Sequence, residues 1–150
     1  MAFEAPKGSE GLSSGDDVVA LRFYFKACNS KNGAYYTFLE ELKCTWNELF
    51  VAVAPYLINE GLEREMIIAV NGVIKDNAGE IIEELKKKGY RGFGNFEIDP
   101  NDFNVIKVQF RALGLICLSE KKRQVSDKGT YWKLTPYGDN IMTQLLAIRK

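Results

Sequence analysis

Histidine is absent from the 150 residues. That removes the commonest general base and the commonest metal ligand, and with them Ser-His-Asp and Cys-His arrangements and nearly every His-containing zinc or iron site. Cysteine is scarce: Cys28, Cys44 and Cys117 are odd in number, widely spaced and form no C-x-x-C pair. The expectation is reduced, mostly buried thiols in a cytoplasmic protein, with no disulfide framework and no metal site. Net charge is also missing. Twenty Lys and Arg balance twenty Asp and Glu, so any charge argument for nucleic acid, membrane surface or acidic substrate must rest on distribution. No run reaches the roughly 18 consecutive apolar residues of a membrane-spanning helix, and residues 49–58 are short and interrupted by Pro55. No membrane partner is expected. Residues 1–17 lack a basic n-region and an apolar h-region and read as a flexible tail, not a signal peptide. A G-x-x-x-x-G-K-[ST] run is missing as well; the glycine cluster 89–94 has neither the lysine nor a preceding strand, so nucleotide hydrolysis is not expected.

What remains is ordinary for one soluble domain with a real core: 46% hydrophobic, 12% aromatic and 27% charged residues, which argues against disorder, collagen and coiled coil. In residues 18–28, Leu21, Phe23 and Phe25 alternate with Arg22, Tyr24 and Lys26, the pattern of a half-buried strand. The turn residues N-S-K-N-G (29–33) lead to a second aromatic run, 34–44, and the pair reads as a β-hairpin with a sheet edge open for augmentation. Thr45 and Glu48 make a capping box for a helix over 46–58. A further helix, or two with a break near 77–79, follows to Lys88. Residues 89–95, G-Y-R-G-F-G-N, read as a loop serving as a mobile connector, and 96–98 as a short extended piece. Asp99-Pro100-Asn101-Asp102 opens a helix over 101–113 whose Phe103, Ile106, Phe110 and Leu113 share one face, with Gly114 as its stop. Strands over 115–118 and 130–134 flank the charged stretch 119–129, and Thr135-Pro136 opens a last helix carrying Ile141, Met142, Leu145 and Ile148.

Catalytic constellations are thin. The pairs Glu40-Glu41 and Glu83-Glu84 are sequence neighbours, which point to opposite faces of a strand or sit roughly 100° apart on a helix. Asp99, Asn101 and Asp102 lack the glycine and distal glutamate of a calcium loop and read as caps. Thr37, Thr45 and the tyrosines have no base beside them. No enzyme, no metal and no cofactor is expected. Trp46 and Trp132 read as packing groups rather than base-stacking platforms.

Charge concentrates at the C-terminal end. Residues 101–150 hold nine Lys or Arg against four Asp or Glu, a net +5, leaving −5 for the rest. Opposite the apolar stripe of helix 103–113, Asn104, Lys107 and Arg111 share one face. Lys121, Lys122, Arg123 and Lys128 then cluster in the hairpin 119–130.

The stretch I-K-V-Q-F-R-A-L-G-L-I, the basic hairpin and Y-W-K-L-T-P-Y-G together resemble a winged-helix (winged helix-turn-helix) domain over roughly residues 45–150. In that family the third helix ends in a leucine-glycine-leucine turn, a two-stranded wing follows, and an L-T-x-x-G element, matched by Leu134, Thr135 and Gly138, starts the closing helix. The chain is also similar to the C-terminal winged-helix region of uncharacterised bacterial proteins, in which a front hairpin and a T-W-N-E-L-F-like helix precede such a domain. The resemblance implies an α+β fold: a tail (1–17), an N-terminal β-hairpin (18–44) packed on the domain, and a winged-helix domain (45–150) with a three-helix core, a two-stranded wing and a C-terminal helix. A long acidic second-helix region, 60–88, departs from the family pattern. The expected function is non-enzymatic binding of duplex nucleic acid, with Asn104, Lys107 and Arg111 facing a groove and Lys121, Lys122, Arg123 and Lys128 on phosphates. The alternative is a protein-interaction or oligomerisation module, including a homodimer through the C-terminal helix, with Leu146 the residue to watch. Nucleic-acid binding requires helix and hairpin to form one uninterrupted positive face, which Glu63, Glu83 or Glu84 would break by folding over it.

Overall fold

The alternation in the first strand buries Leu21, Phe23, Phe25 and Ala27 on one side of β1 (Val18–Asn29). The computed structural model, which describes residues 4–147, pairs β1 antiparallel with β2 (Tyr35–Thr45), from Val18 opposite Thr45 to Cys28 opposite Tyr35. Asn29 closes the turn by accepting from the Lys31 N–H (2.9 Å), and Gly33 takes the left-handed φ of 71° that a side chain would resist.

Residues 89–95 are not a loop. They form most of β4 (Tyr90–Ile98), which pairs antiparallel with β1 and completes a sheet of order β2-β1-β4. Its glycines serve a bulged strand: the register with β1 shifts twice, and Gly92 and Asn95 adopt φ of 66° and 56°. Phe96 and Phe93 thereby reach Phe25, with ring centroids 5.2 and 6.4 Å away. The N-terminal segment also differs from the flexible tail expected of it, over its described part. Trp46 Nε1 donates to Ser13 Oγ (2.8 Å), Gln109 Nε2 to the Ser13 carbonyl (2.7 Å) and Asn47 N–H to the Gly15 carbonyl (2.9 Å).

Helix α1 (Trp46–Val53) carries the expected capping box, with Glu48 N–H 3.1 Å from Thr45 Oγ1 and Thr45 N–H 3.2 Å from Glu48 Oε1. It stops short of residue 58. Pro55 has no N–H to continue the ladder, and Ala54–Leu57 tightens into a 3-10 turn. Strand β3 (Gly61–Leu62), which the sequence pattern does not predict, leads into α2 (Glu63–Asn77) and α3 (Gly79–Lys87), which break where expected. After β4 comes α4 (Pro100–Ala112), then β5 (Ile116–Leu118), β6 (Tyr131–Leu134) and α5 (Pro136–Leu146). The second sheet therefore has three strands, not two, in the order β3-β6-β5. Ile148, Arg149 and Lys150 lie outside the described residues.

Two junctions fix α4. At its start Asp99 accepts from the Asn101 and Asp102 N–H groups (3.1 and 3.3 Å), while Asp102 receives the Arg22 N–H (2.7 Å) and both arms of the Arg22 guanidinium (2.8 and 3.2 Å). That fork holds the Asp102 carboxyl below its ordinary pKa. At its end Gly114 turns the chain with φ 74°, and the matched leucine-threonine-glycine element locks there. Thr135 Oγ1 donates to the Gly114 carbonyl and accepts from the Gly138 N–H (2.9 Å), and Thr135 N–H reaches the Leu115 carbonyl (3.1 Å). One continuous buried cluster joins both sheets, from Phe23 and Phe25 through Phe50, Ile106 and Phe110 to Trp132 and Met142. The molecule is mixed α+β with two small antiparallel sheets and five α-helices among the described residues. None of these helices is long and apolar enough to cross a membrane.

Candidate functional site

The apolar stripe of α4 is buried as its spacing predicts, through Phe103, Ile106 and Phe110. Its opposite arc is exposed, but not as a row of cations. Lys107 lies at the edge of that arc, half-buried, with Nζ 2.8 Å from Glu63 Oε1 and close to the rings of Phe103 (5.8 Å) and Trp132 (5.9 Å). The same Glu63 oxygen accepts from Trp132 Nε1 (3.1 Å), so Lys107 belongs to an internal contact between α2, α4 and β6. Arg111 is exposed and lies over the Trp132 ring at 5.3 Å. Asn104 is exposed too.

At 100° per residue the exposed arc runs Arg111, Asn104, Val108, Asn101, Ala112 and Val105, a mixed face with two valines in it. Val105 and Val108 are 56% and 62% exposed, and with 100° per residue Val108 falls at the centre of the arc. Sequence reasoning passed over both. The signal was present: two valines three apart, outside the stripe that the core needs.

The loop 119–130 folds back on its own sheet. Glu60 accepts from Ser119 Oγ (2.7 Å) and from Arg123 Nη2, and the Arg123 guanidinium stacks 3.6 Å from the centre of the Tyr131 ring. Tyr131 Oη donates to Asp127 Oδ2 (2.9 Å), whose other oxygen takes the Gly129 N–H (2.9 Å). The Arg123 hydrogen bond, helped by Ser119, holds the Glu60 carboxyl down to about 2. The Gly129 N–H, then Tyr131, lowers Asp127, and the bond to Asp127 raises the Tyr131 phenol in turn.

The seven sequence-predicted residues are therefore divided. Tyr131 and Trp132 are neighbours on β6 and point to opposite faces of the sheet, so Arg123 on Tyr131 and Lys107 at Trp132 stand on opposite sides. Both are neutralised by acids flanking β3: Glu60 just before it, Glu63 just after. Glu83 and Glu84 lie elsewhere, pairing along α3 with Lys86 (3.3 Å) and Lys87 (3.4 Å). Arg111, Lys121, Lys122 and Lys128 are exposed and have no ion-pair partner among the described residues. Glu120 and Asp127 are exposed in the same loop.

Trp46 and Trp132 are buried, at 5% and 3% exposure. Cys28 and Cys44 are buried and Cys117 half-buried, all free thiols; burial pushes the Cys44 thiol up to about 11. A cleft of about 370 Å³ opens between the N-terminal segment, α1, the end of α4 and α5. Trp46, Leu113, Ile141 and Leu145 line it, and Glu10 is the one titratable carboxyl there. No group of three His, Cys, Asp or Glu gathers as metal ligands among the described residues. No family model, no curated protein and no solved structure gives a match to this chain.

Proposed function

We propose that the chain is a non-enzymatic, winged-helix-like module that recognises protein through the exposed arc of α4. The order β3-β6-β5, the placement of α4 before β5 and the Thr135–Gly138 lock support the winged-helix part of this reading. The observation that carries the functional part is the composition of the face: Val108 stands exposed at its centre and Val105 about 60° round the helix from it, while Glu63 takes Lys107 out of it. An exposed valine pair beside Arg111, with Lys121, Lys122 and Lys128 unpaired in the loop 119–130, suits a polypeptide surface with apolar residues and acidic groups.

A second reading, duplex nucleic acid, is favoured by those same four unpaired cations. The two readings differ in salt dependence. Each phosphate contact adds about −0.9 to the log-log slope, so four cations on phosphates give about −3.6. Titration of a fluorescent random-sequence duplex at low and near-physiological salt, beside the triple variant Lys121→Glu, Lys122→Glu, Arg123→Glu, decides between them. The protein reading expects no binding near physiological salt. Tight binding near physiological salt with a slope of that size, collapsing in the triple variant, overturns it.

A further inference from the structure

The sheet β2-β1-β4 has two edges, and the chain treats them differently. Helix α2 packs along β4, and Asn71 Oδ1 accepts from the Ile98 N–H on that side (2.8 Å). Nothing comparable covers β2. The hairpin closes with the Asn29 N–H on the Ala34 carbonyl (2.8 Å), and bonding alternates along an antiparallel strand. Tyr36, Phe38, Glu40, Leu42 and Cys44 therefore face β1, and the backbone groups of Tyr35, Thr37, Leu39, Glu41 and Lys43 face outward. Among the described residues these outward groups have no hydrogen-bond partner. The second sheet ends in strands of only two and three residues and β4 is broken by two register shifts, which leaves β2, with eleven residues in unbroken register, as the longest regular open edge among the described residues.

The side chains along that edge are self-complementary about Leu39. Two β2 strands laid antiparallel on a two-fold axis through Leu39 bring Leu39 against its own copy, Thr37 against Glu41 and Tyr35 against Lys43, over nine residues. Because Tyr24 is opposite Leu39 and Lys26 opposite Thr37 in the hairpin, with Arg22 opposite Glu41, the match extends to four strands. Its centre is an apolar row, Tyr24, Leu39, Leu39 and Tyr24. On each side runs a row Lys26, Thr37, Glu41, Arg22, in which the Glu41 carboxylate of one copy lies on the Lys26 side of the other, while Arg22 is already held by Asp102. Axes through Glu40 or Glu41 instead set like charges face to face, which is destabilising. The pairing also covers Leu39 and Tyr35, which are 56% and 63% exposed.

We infer that β2 is a homodimer edge, joining two copies into one six-stranded antiparallel sheet centred on Leu39. This is independent of the α4 reading, since α4 is not on that edge.

Sedimentation equilibrium of the full chain over a wide concentration range, with amide hydrogen exchange at both ends of that range, tests it. The wild type is expected to reach twice the chain mass, and the amides of Tyr35, Thr37, Leu39, Glu41 and Lys43 to gain protection on dimerisation while the alternate amides, already bonded to β1, do not change. Leu39→Pro removes only an outward N–H and leaves the β1 ladder whole, so the expected result is loss of the dimer with far-UV circular dichroism retained. Leu39→Lys, which places two like charges on the axis, gives the same loss where the proline variant does not fold. A wild type that stays monomeric overturns the inference. So does a dimer that survives both substitutions, or one lost instead in Leu146→Asp, which would place the contact on α5.

Discussion

Replacing Gly138 with alanine tests the lock between α5 and the α4–β5 turn. A Cβ at this position runs into the carbonyl oxygen and carbon of Leu115, which are backbone atoms with no rotamer to yield. Overpacking of this kind costs about 1–3 kcal/mol, with a backbone obstacle toward the upper end. Displacing the first turn of α5 also weakens the Gly138 N–H to Thr135 Oγ1 bond, a cap of about 1 kcal/mol. Alanine returns up to about 1 kcal/mol of helix propensity, and the net loss is about 2–3 kcal/mol. At about 2–4 °C per kcal/mol for a domain of this size, Gly138→Ala lowers Tm by about 4–12 °C. The assay is a reversible thermal melt followed by far-UV circular dichroism, repeated in urea so that a changed m-value exposes altered denatured-state structure. A Tm equal to or above the wild type refutes the claim that this glycine is needed for close approach.

Gly72, exposed in the middle of α2 with open space where a Cβ would stand, is the opposite case: Gly72→Ala raises stability by about 0.5–1 kcal/mol in the same melt. An NMR titration is expected to place Glu60 near 2, and Arg123→Gln to return it toward the ordinary carboxylate value of about 4.3. Because its folded pKa lies below the unfolded one, the Glu60 contact is complete above about pH 5 and fades as pH falls toward 2, so order in the loop 119–130 is lost on that acid limb. Iodoacetamide at mildly alkaline pH labels half-buried Cys117 first, while Cys44, buried and held up to about 11, reacts only on unfolding; peptide mass mapping reads the order.

Local chemistry made much of this fold readable. The hairpin follows from alternation that is strict through Leu21, Phe23 and Phe25, and three helix starts follow from capping residues, Thr45 with Glu48, Asp99 before Pro100 and Thr135 before Pro136. Strand β4 is not legible locally, because glycine punctuates loops and also permits bulges, and only pairing with β1 tells these apart. Strand β3 is two residues long and has no period to detect. The anchoring of residues 4–17 depends on single long-range bonds, such as Ser13 on Trp46, that leave no local pattern. At the site, Lys107 and Arg123 read as free cations because their partners, Glu63 and Glu60, lie 44 and 63 residues away. Val105 and Val108 needed no structure to be noticed, only the question of why a core helix carries valine outside its core stripe.

The path of β4 bears on how the chain loses its structure. It leaves α3, pairs with β1 and runs through Asp99 directly into α4, so the large sheet and the helix beneath the small sheet share one uninterrupted backbone. Trp46, bonded to Ser13 and edge-on to Phe110 of α4, and Trp132 on β6, bonded to Glu63 at the start of α2, are two buried indoles at different places in that arrangement. Melting in two stages would require the chain to part at the β4–α4 junction, where the Arg22 fork and the Asp99 N–H to Arg22 carbonyl bond (2.9 Å) are concentrated. The two halves accordingly unfold as one cooperative unit, and within each single-tryptophan variant the fluorescence of the remaining indole and the far-UV circular dichroism share one denaturation midpoint.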